Sequence, residues 1–358
     1  MNTRSAKREA STGRPPRVTL KDVAKAAGVS MMTVSNVLHD RPNVSAALRE
    51  LVQRRIEELG YVPNRAAQQL AGVTRPHFGL LYASVINPFI ASVIVGSLTA
   101  ASRLGIDVTI ELAELDDPKS LRSTISRMRD TGVDGLLLPS PIAEFVERTF
   151  RKKPLKFPAV AIAPGFSMPG MASVRVDEEG AAFELVSSLL DLGHTRIGHL
   201  AGPETQSGSF ARHEGYRAAL LARGIEPCAE HLERSRFNFQ DGVEAAERLL
   251  AREPRVTAVF AANDTLAASV LAVTHRRGIA VPRSLSVVGY DDSPVAEQVW
   301  PALTTVHQDA FAATERAVEM LNASVAAWRA GSFTGPAEDL LLPYRIVHRA
   351  STAPAPAD

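Results

Sequence analysis

Polar side chains stand directly after apolar segments in the second half of this 358-residue chain. Asn263 and Asp264 follow "AVFAA". Asp291 and Asp292 follow "LSVVGY", and "SFARHEGY" carries Arg212 at a predicted helix start. Ligands of open α/β sheets bind beyond the carboxyl ends of the strands. A guanidinium, carboxylates and an amide at that edge indicate a site for a small polar molecule.

Catalytic chemistry is a weaker interpretation of such residues. The Asp291–Asp292 pair could form an acid/base dyad, but no nucleophile accompanies it. His194 and His199 lie in "HTRIGH", which enters a predicted strand, so they do not form a helical metal-binding pair. The chain has no G-x-S-x-G elbow, P-loop or strand-borne G-x-G-x-x-G. We therefore predict that it is not an enzyme and holds no metal or cofactor.

Two further acidic residues have a structural explanation. Asp264 and Asp177 each precede a helical pattern, where a short carboxylate accepts a hydrogen bond from an exposed backbone N–H group. We predict that both are helix N-caps rather than ligands.

The elements that position these side chains alternate between apolar strands and helical patterns, which predicts parallel sheets flanked by helices. The predicted strands are "FGLLYAS", "IDVTIEL", "VDGLLLPS", "PAVAIA", "RIGHLAG", "AVFAAN" and "LSVVGYDD". The predicted helices between them include residues 88–104, 119–130, 177–192, 210–223 and 265–277. These strands are too many for one compact sheet, so we expect two similar α/β lobes that divide near 162–175, with a return crossing near 305.

The first part of the chain contains only helical patterns. Thr19 and Asp22 form a capping box before "LKDVAKAAG", which Gly28 ends, and Ser30 caps "MMTVSNVLHD". Ser45 then caps a third helix over residues 46–59. The first two segments have the spacing of a helix-turn-helix, whose second helix enters the DNA major groove. The predicted organisation is a disordered basic arm (1–16), this head (17–62), a short helix and linker (63–77), a two-lobed body (78–350) and a flexible tail (351–358).

Charge and cysteine content agree with this division. Net charge is +7 over residues 1–76 and −6 over the remainder, which indicates a polyanionic partner for the head alone. The single cysteine, Cys228, excludes an intrachain disulfide and favours a reducing cytoplasm. The N-terminus lacks the apolar core of a secretory signal, and no apolar run approaches the length of a membrane span.

Residues 18–72 resemble the head of the lactose-repressor (LacI/GalR) family. The resemblance is carried by "TLKDVAKAAGVSMMTVSNVL", "LGYVPN" and "NRAAQQLAG", and it continues through "IGHLAGP", "ANDTLA" and "SVVGYDD". It implies an all-α DNA-binding head and a body of two α/β lobes like a periplasmic binding protein. It also implies a homodimer, because two heads need a two-fold axis to bind two half-sites.

By this resemblance, the head binds a double-stranded operator through base-reading and backbone-facing residues. An asparagine amide can pair with adenine, and methionines offer apolar contact to thymine methyl groups. The base-reading positions are Met31, Met32 and Asn36, and the phosphate or backbone positions are Thr19, Thr33, Ser35, Ser45, Tyr61 and Asn64.

The segment "NRAAQQLAG" corresponds to the family's hinge helix, which folds on the operator and pairs with its own copy in the minor groove. Ala67 and Leu70 are its minor-groove residues, with Leu70 as an apolar wedge. A helix of seven or eight residues is too short to be stable alone, which suits folding coupled to binding. The alternative is an ordinary linker helix between domains.

The resemblance also implies an effector site in the body, for which a sugar is the first expectation. The implied ligand-binding residues are Tyr82, Asn87, Phe89, Arg212, Phe237, Asn263, Asp291 and Gln308. One departure concerns Ala163 and Pro164, which stand where many sugar-binding members carry an acidic or polar residue. The predicted function is a ligand-responsive repressor of carbohydrate-utilisation genes, released from or recruited to its operator by the effector.

Overall fold

The computed structural model describes residues 18–38, 44–59, 75–83, 88–115, 117–168, 170–333, 335 and 338–356. The chain forms two units, Met1–Thr74 and Arg75–Asp358, which we call the head unit and the body. No helix within the described ranges is long and apolar enough to cross a membrane.

The head unit contains three described helices, α1 (Leu20–Ala27), α2 (Met31–Leu38) and α3 (Ala46–Leu59), as predicted. Thr19 and Asp22 form a reciprocal capping box at the start of α1, and Gly28 ends it with a left-handed φ of 66°. The hydroxyl of Ser30 accepts a hydrogen bond from the Thr33 N–H group at 3.1 Å, which caps α2. Local sequence signals therefore set both ends of the turn between α1 and α2.

A small apolar core joins these helices. Val23 on α1, Val34 on α2 and Val52 on α3 are completely buried, and they meet at the centre of the core. Partly buried apolar residues of the head, including Leu20, Val29 and Val44, pack around them.

The body alternates strands and helices. Its helices are α4 (Pro88–Leu104), α5 (Pro118–Asp130), α6 (Ile142–Phe150), α7 (Glu178–Asp191), α8 (Ser207–Ala222), α9 (Phe239–Leu249), α10 (Asp264–Arg276), α11 (Pro294–Gln298) and α12 (Ala310–Arg329). Its strands are β1 (His77–Tyr82), β2 (Asp107–Leu112), β3 (Gly135–Pro139), β4 (Ala159–Ile162), β5 (Ala172–Arg175), β6 (Ile197–Ala201), β7 (Leu232–Arg234), β8 (Ala258–Ala261), β9 (Ser286–Val288), β10 (Thr305–His307), β11 (Asp339–Leu341) and β12 (Arg345–Val347). The five predicted helices are confirmed to within three residues at each end.

Two parallel sheets organise the body into the two predicted lobes. The N-lobe sheet has the order β11-β5-β4-β3-β1-β2, and the C-lobe sheet has the order β7-β6-β8-β9. Strands β10 and β12 form an antiparallel pair whose residues pack with the C-lobe core. The short strands β5, β7, β10, β11 and β12 were not predicted, because polar or charged residues interrupt their three or four positions, whereas the equally short β4, β8 and β9 lie within longer apolar segments.

The chain passes between the lobes three times. The first crossing follows β5, because β5 still pairs within the N-lobe sheet, and the second follows β10. Helix α12 then packs into the N-lobe core through residues such as Ala317 and Leu321. A third crossing joins β11 to β12, which the sequence pattern did not predict.

The prediction of a flexible tail over 351–358 is wrong for residues 351–356. Ser351 is completely buried; its hydroxyl donates to the carbonyl of Val287 at 2.6 Å and accepts from the Thr304 N–H group at 2.8 Å. Further along, the Ala355 N–H group donates to the carbonyl of Leu192 at 2.8 Å. The sequence does not reveal this docking, because the segment has no apolar periodicity and its backbone groups and hydroxyls make the bonds.

Candidate functional sites

A cavity of about 470 Å³ lies between the two lobes at the carboxyl ends of their strands. Its volume is in the range of small-molecule sites, about 300–1,000 Å³. Six of the predicted effector residues line it, namely Phe89, Arg212, Phe237, Asn263, Asp291 and Gln308. The structure therefore brings most of the predicted site together from both lobes.

Arg212 on α8 is the centre of the polar wall. Its Nε and Nη2 atoms donate to Glu178 at 2.6 and 3.2 Å, and Nη1 donates to the carbonyl of Ala262 at 2.6 Å. The guanidinium lies over the ring of Tyr290, 3.7 Å from its centroid, and Nη2 is 3.6 Å from Asp291. Burial lowers the pKa of Arg212, but the carboxylates of Glu178 and Asp291 together raise it above its usual value, so Arg212 is a fixed cation in the wall.

Asp291 supplies a carboxyl group whose pKa lies close to neutral pH. Burial raises its pKa to about 7, while Arg212 acts in the opposite direction. The amide of Gln308 donates to its Oδ1 atom at 2.6 Å. Its φ of 106° is unusual for a non-glycine residue, which marks a strained backbone that turns this side chain into the cavity wall.

The N-cap of α10 is Asn263 and not the predicted residue Asp264. Asn263 caps α10, because its Oδ1 atom accepts from the Leu266 N–H group at 2.9 Å, and it lines the cavity as well. Its amide N–H groups are thus the donors it can offer a ligand. The prediction that Asp264 caps this helix is wrong, because its buried carboxylate accepts from the Thr305 hydroxyl and the Ser293 N–H group, both at 2.7 Å. The predicted cap Asp177 is confirmed, since it accepts from Gly180 N–H at 3.0 Å.

An aromatic face completes the C-lobe wall. The ring of Phe237 packs against Gly202, where an added Cβ atom would lie 2.2 Å from the ring. The absence of a side chain at Gly202 therefore lets the ring approach the end of β6. Phe89, at the start of α4, lines the N-lobe side of the same cavity.

Tyr82 and Asn87 were also predicted to line the N-lobe side of the cavity. Tyr82 does not line the cavity but packs against the N-lobe core, and its neighbour Ala83 lines the cavity instead. Side chains alternate between the faces of a strand, so a shift of one residue reverses the assignment. Asn87 lies outside the described residues.

Sequence reasoning missed several wall residues, above all Glu178. This side chain is 2% exposed and pairs with Arg212, but in sequence it looks like an ordinary acidic residue in the first turn of α7. Arg148 and Arg236 also line the cavity and are ordinary surface cations by their sequence context. Ala163, the position that departs from the family pattern, lines it as well and has a φ of 51°.

The lobes also contact each other directly at one edge of this cavity. The Gly165 N–H group of the N-lobe donates to the Ser207 hydroxyl at 2.7 Å, and that hydroxyl donates to Glu144. A Cβ atom at Gly165 would lie 2.3 Å from the Ser207 carbonyl group. This close approach, which we call the interlobe latch (Glu144, Gly165 and Ser207), is possible only with glycine at 165.

The head presents the predicted recognition helix to solvent. Met31 and Met32 at the start of α2 are 52% and 69% exposed, so they do not pack under the helix. Asn36 is half-buried on α2, whereas Val34 and Val37 fill the core. The predicted backbone-facing set is half-buried or exposed, namely Thr19, Thr33, Ser35 and Ser45. Tyr61, Asn64, Ala67 and Leu70 lie outside the described residues.

A helix-turn-helix head joined in one chain to a two-lobed α/β body with a polar cavity defines a DNA-binding regulator with a ligand-binding body. Comparisons with known proteins agree. Residues 19–64 match the family model "Bacterial regulatory proteins, lacI family", and residues 186–352 match the "Periplasmic binding protein-like domain".

Similar proteins span nearly the whole chain. Catabolite control protein A from Priestia megaterium is 31% identical over 337 residues, which cover 94% of this chain and 99% of that protein. Solved structures include a complex of the transcriptional regulator CelR with cellobiose (TM-score 0.67, 31% identity) and the lac repressor dimer bound to operator and the anti-inducer ONPF (TM-score 0.75, 28% identity). Each covers 94% of this chain and 100% of the compared chain. The chain belongs to the lacI family of bacterial transcriptional regulators.

Proposed function

We propose that this protein is a repressor of carbohydrate-utilisation genes that binds a near-palindromic operator as a homodimer and responds to a sugar. The observation that carries the proposal is the interlobe cavity, whose wall contains the Arg212–Glu178 ion pair, the carboxyl group of Asp291 and the aromatic ring of Phe237. Charged hydrogen-bonding groups at the edges of a ring and an aromatic face suit a polyhydroxylated ring. The cellobiose bound by CelR and the operator bound by the lac repressor dimer support both halves of the proposal.

The cavity is a site for binding rather than catalysis. The buried charged groups of its C-lobe wall, Arg212, Glu178 and Asp291, are paired with one another, and the proteins compared above are regulators. No cluster of residues suited to a metal ion is present in the described parts of the chain. We therefore propose a cytoplasmic regulator without cofactor or enzymatic activity.

The position of the cavity between the lobes suggests how effector binding is coupled to operator binding. A ligand that contacts both lobes favours the lobe arrangement in which both sets of contacts form, and the interlobe latch stabilises one such arrangement. We propose that the change in lobe arrangement alters the pairing of the hinge segments at residues 63–77 of the two protomers. Separation of these segments would release the operator, and closer pairing would recruit it.

The test uses the full-length protein. Operator sequences are selected from a random duplex pool, and affinity for the selected site is then measured with and without each member of a sugar panel. At least one sugar is expected to change operator affinity about tenfold or more, in either direction. Arg212→Ala and Asp291→Asn should retain operator binding and lose the response, because a ligand partner is removed.

Arg217→Ala is the matched control, since Arg217 is an exposed arginine on the same helix and pairs with the nearby Glu214. It should respond to the sugar like the wild type. A protein that selects no DNA sequence, or whose selected site is insensitive to every sugar in the panel, would contradict the proposal.

A further inference from the structure

A second chamber of about 530 Å³ adjoins the effector cavity. Arg148 and Thr205 line both spaces, so the chamber lies directly beside the cavity. Its walls come from both lobes, with α6 on one side and the start of α8 on the other. A ligand bound at Arg212 that extends past Arg148 and Thr205 would reach this chamber.

Two phenylalanine rings line this outer chamber from opposite lobes. Phe166, in the N-lobe segment between β4 and β5, is 49% exposed, and Phe210, in the first turn of α8, is 44% exposed. Single exposed apolar side chains are common on protein surfaces. Two aromatic rings in the wall of one chamber instead provide apolar faces for a flat or ring-shaped group.

Polar groups surround these rings. Glu144 lines the chamber, and its Oε1 atom accepts hydrogen bonds from the hydroxyls of Ser140, at 2.8 Å, and Ser207. Its Oε2 atom is buried and has no hydrogen-bond partner among the described residues. The two hydroxyls therefore hold this carboxylate at the wall of the chamber.

The charge of the outer chamber excludes a strongly anionic ligand group. Its wall contains three carboxylates against two guanidinium groups, and Arg151 is paired with Glu147 at 3.0 Å. A phosphate or carboxylate would meet this excess of negative charge. A neutral group with hydroxyl donors fits both the carboxylates and the phenylalanine faces.

We propose that the effector is a disaccharide or similar glycoside, with one ring in the inner cavity and a second ring in the outer chamber between Phe166 and Phe210. The inference rests on the proposed function, since it presumes a sugar in the inner cavity. It adds the size of the effector and the residues that select it.

The experiment measures the binding of single sugars and disaccharides to the full-length protein by calorimetry. The probes are glucose, galactose and ribose, together with cellobiose, maltose and lactose. At least one disaccharide should bind about tenfold or more tightly than either of its component sugars. Phe210→Ala should weaken that disaccharide about tenfold and change the binding of the component sugars less than twofold, and Phe166→Ala should act in the same direction.

Phe183→Ala is the matched control, because Phe183 is 38% exposed on α7 of the same lobe and lines neither space. It should leave both affinities unchanged. A single sugar that binds as tightly as any disaccharide, or a Phe210 variant with normal disaccharide affinity, would overturn the inference and leave the proposed function intact. If none of the six sugars binds, the proposed sugar effector fails and the inference fails with it.

Discussion

Glu178 and Arg212 form a buried ion pair across 34 positions of sequence, with Arg212 Nε 2.6 Å from Glu178 Oε2. Both side chains are less than 10% exposed. A buried charge that loses its partner is strongly destabilising, whereas the intact pair contributes little net stability. The pair therefore positions the guanidinium at the cavity wall. Burying the two charges costs free energy, which apolar packing in the C-lobe offsets.

Replacing Glu178 should damage stability and ligand binding together. Glu178→Gln leaves the Arg212 guanidinium with only the more distant Asp291 as a charged partner, so the free energy of unfolding should fall by about 3 kcal/mol. Denaturant unfolding measures this loss, and calorimetry measures the accompanying loss of sugar affinity. Glu179→Gln is the control at an exposed neighbouring position, and equal stability of the two variants would refute a structural role for the pair.

The raised pKa of Asp291 predicts that the protein becomes less stable as the pH rises. Its pKa is raised to about 7 by burial, so between about pH 4 and 7 the folded protein holds a proton that the unfolded chain has released. This group therefore lowers the free energy of unfolding as pH rises through that window. Asp291→Asn removes the titration and should stabilise the protein by about 1–3 kcal/mol at pH 8 and much less at pH 5, while abolishing the sugar response.

Denaturant unfolding at the two pH values tests this expectation. Asparagine is suitable because it also tolerates a positive φ at this position. Asp130→Asn, at an exposed site on α5, is the control and should change neither value. A variant that is destabilised at pH 8 would show that Asp291 stabilises the folded state through Arg212 instead.

The interlobe latch predicts a steric block. In Gly165→Ala, the new methyl group would meet the Ser207 carbonyl group at 2.3 Å, so the lobes cannot keep this approach. Sugar affinity should fall at least tenfold, and small-angle scattering should show a more open body. Ser207→Ala removes the hydrogen bonds but adds no bulk, so its effect should be smaller. Normal affinity in Gly165→Ala would mean that ligand binding does not require this contact.

In the head, Asn36 should contribute to sequence preference. Asn36→Ala should cost about 1–3 kcal/mol on the operator and relax the preference at one base position. Non-specific binding depends mainly on phosphate contacts and should not change. Base-substitution titrations at one salt concentration measure both effects. Gln53→Ala removes an exposed amide from α3 as the control, and an unaltered base preference in the Asn36 variant would remove this residue from the reading set.

Leu70 distinguishes a minor-groove wedge from a simple linker. Leu70→Ala slightly improves helix propensity, so a linker helix predicts no loss of operator affinity. A wedge supports the kinked base step, so its removal should weaken operator binding at least about tenfold. Paired titrations of operator and scrambled duplex at fixed salt measure the difference. Equal operator affinity of the variant and the wild type would assign this segment the role of a tether.

Sequence reasoning succeeded where local signals determine the structure. Thr19, Asp22 and Gly28 act within one helix, and the long apolar strands bury on both faces of parallel sheets, so both patterns could be predicted. The cavity residues Arg212, Asn263 and Asp291 came from the rule for strand ends combined with the family resemblance.

The failures share one cause, which is that long-range partners are invisible in a sequence. Glu178 becomes a site residue only through an arginine on the next helix, and Asp264 loses its expected cap role because Thr305 and Ser293 donate to it from distant segments. Ser351 is likewise ordered by bonds to Val287 and Thr304. Short polar side chains can serve as caps, ligands or cross-links, and only the folded neighbours select among these roles.

The three crossings between the lobes determine when each lobe can be completed during synthesis. The N-lobe core needs α12, and its sheet needs β11, both of which are made after the whole of the C-lobe sheet. Until residue 341 has left the ribosome, the β1–β5 region therefore has an uncovered apolar face and an unpaired strand edge. The N-lobe is therefore the first lobe to be translated, yet it cannot be completed until the whole C-lobe sheet has been made, so the nascent body exposes apolar surface during most of its synthesis.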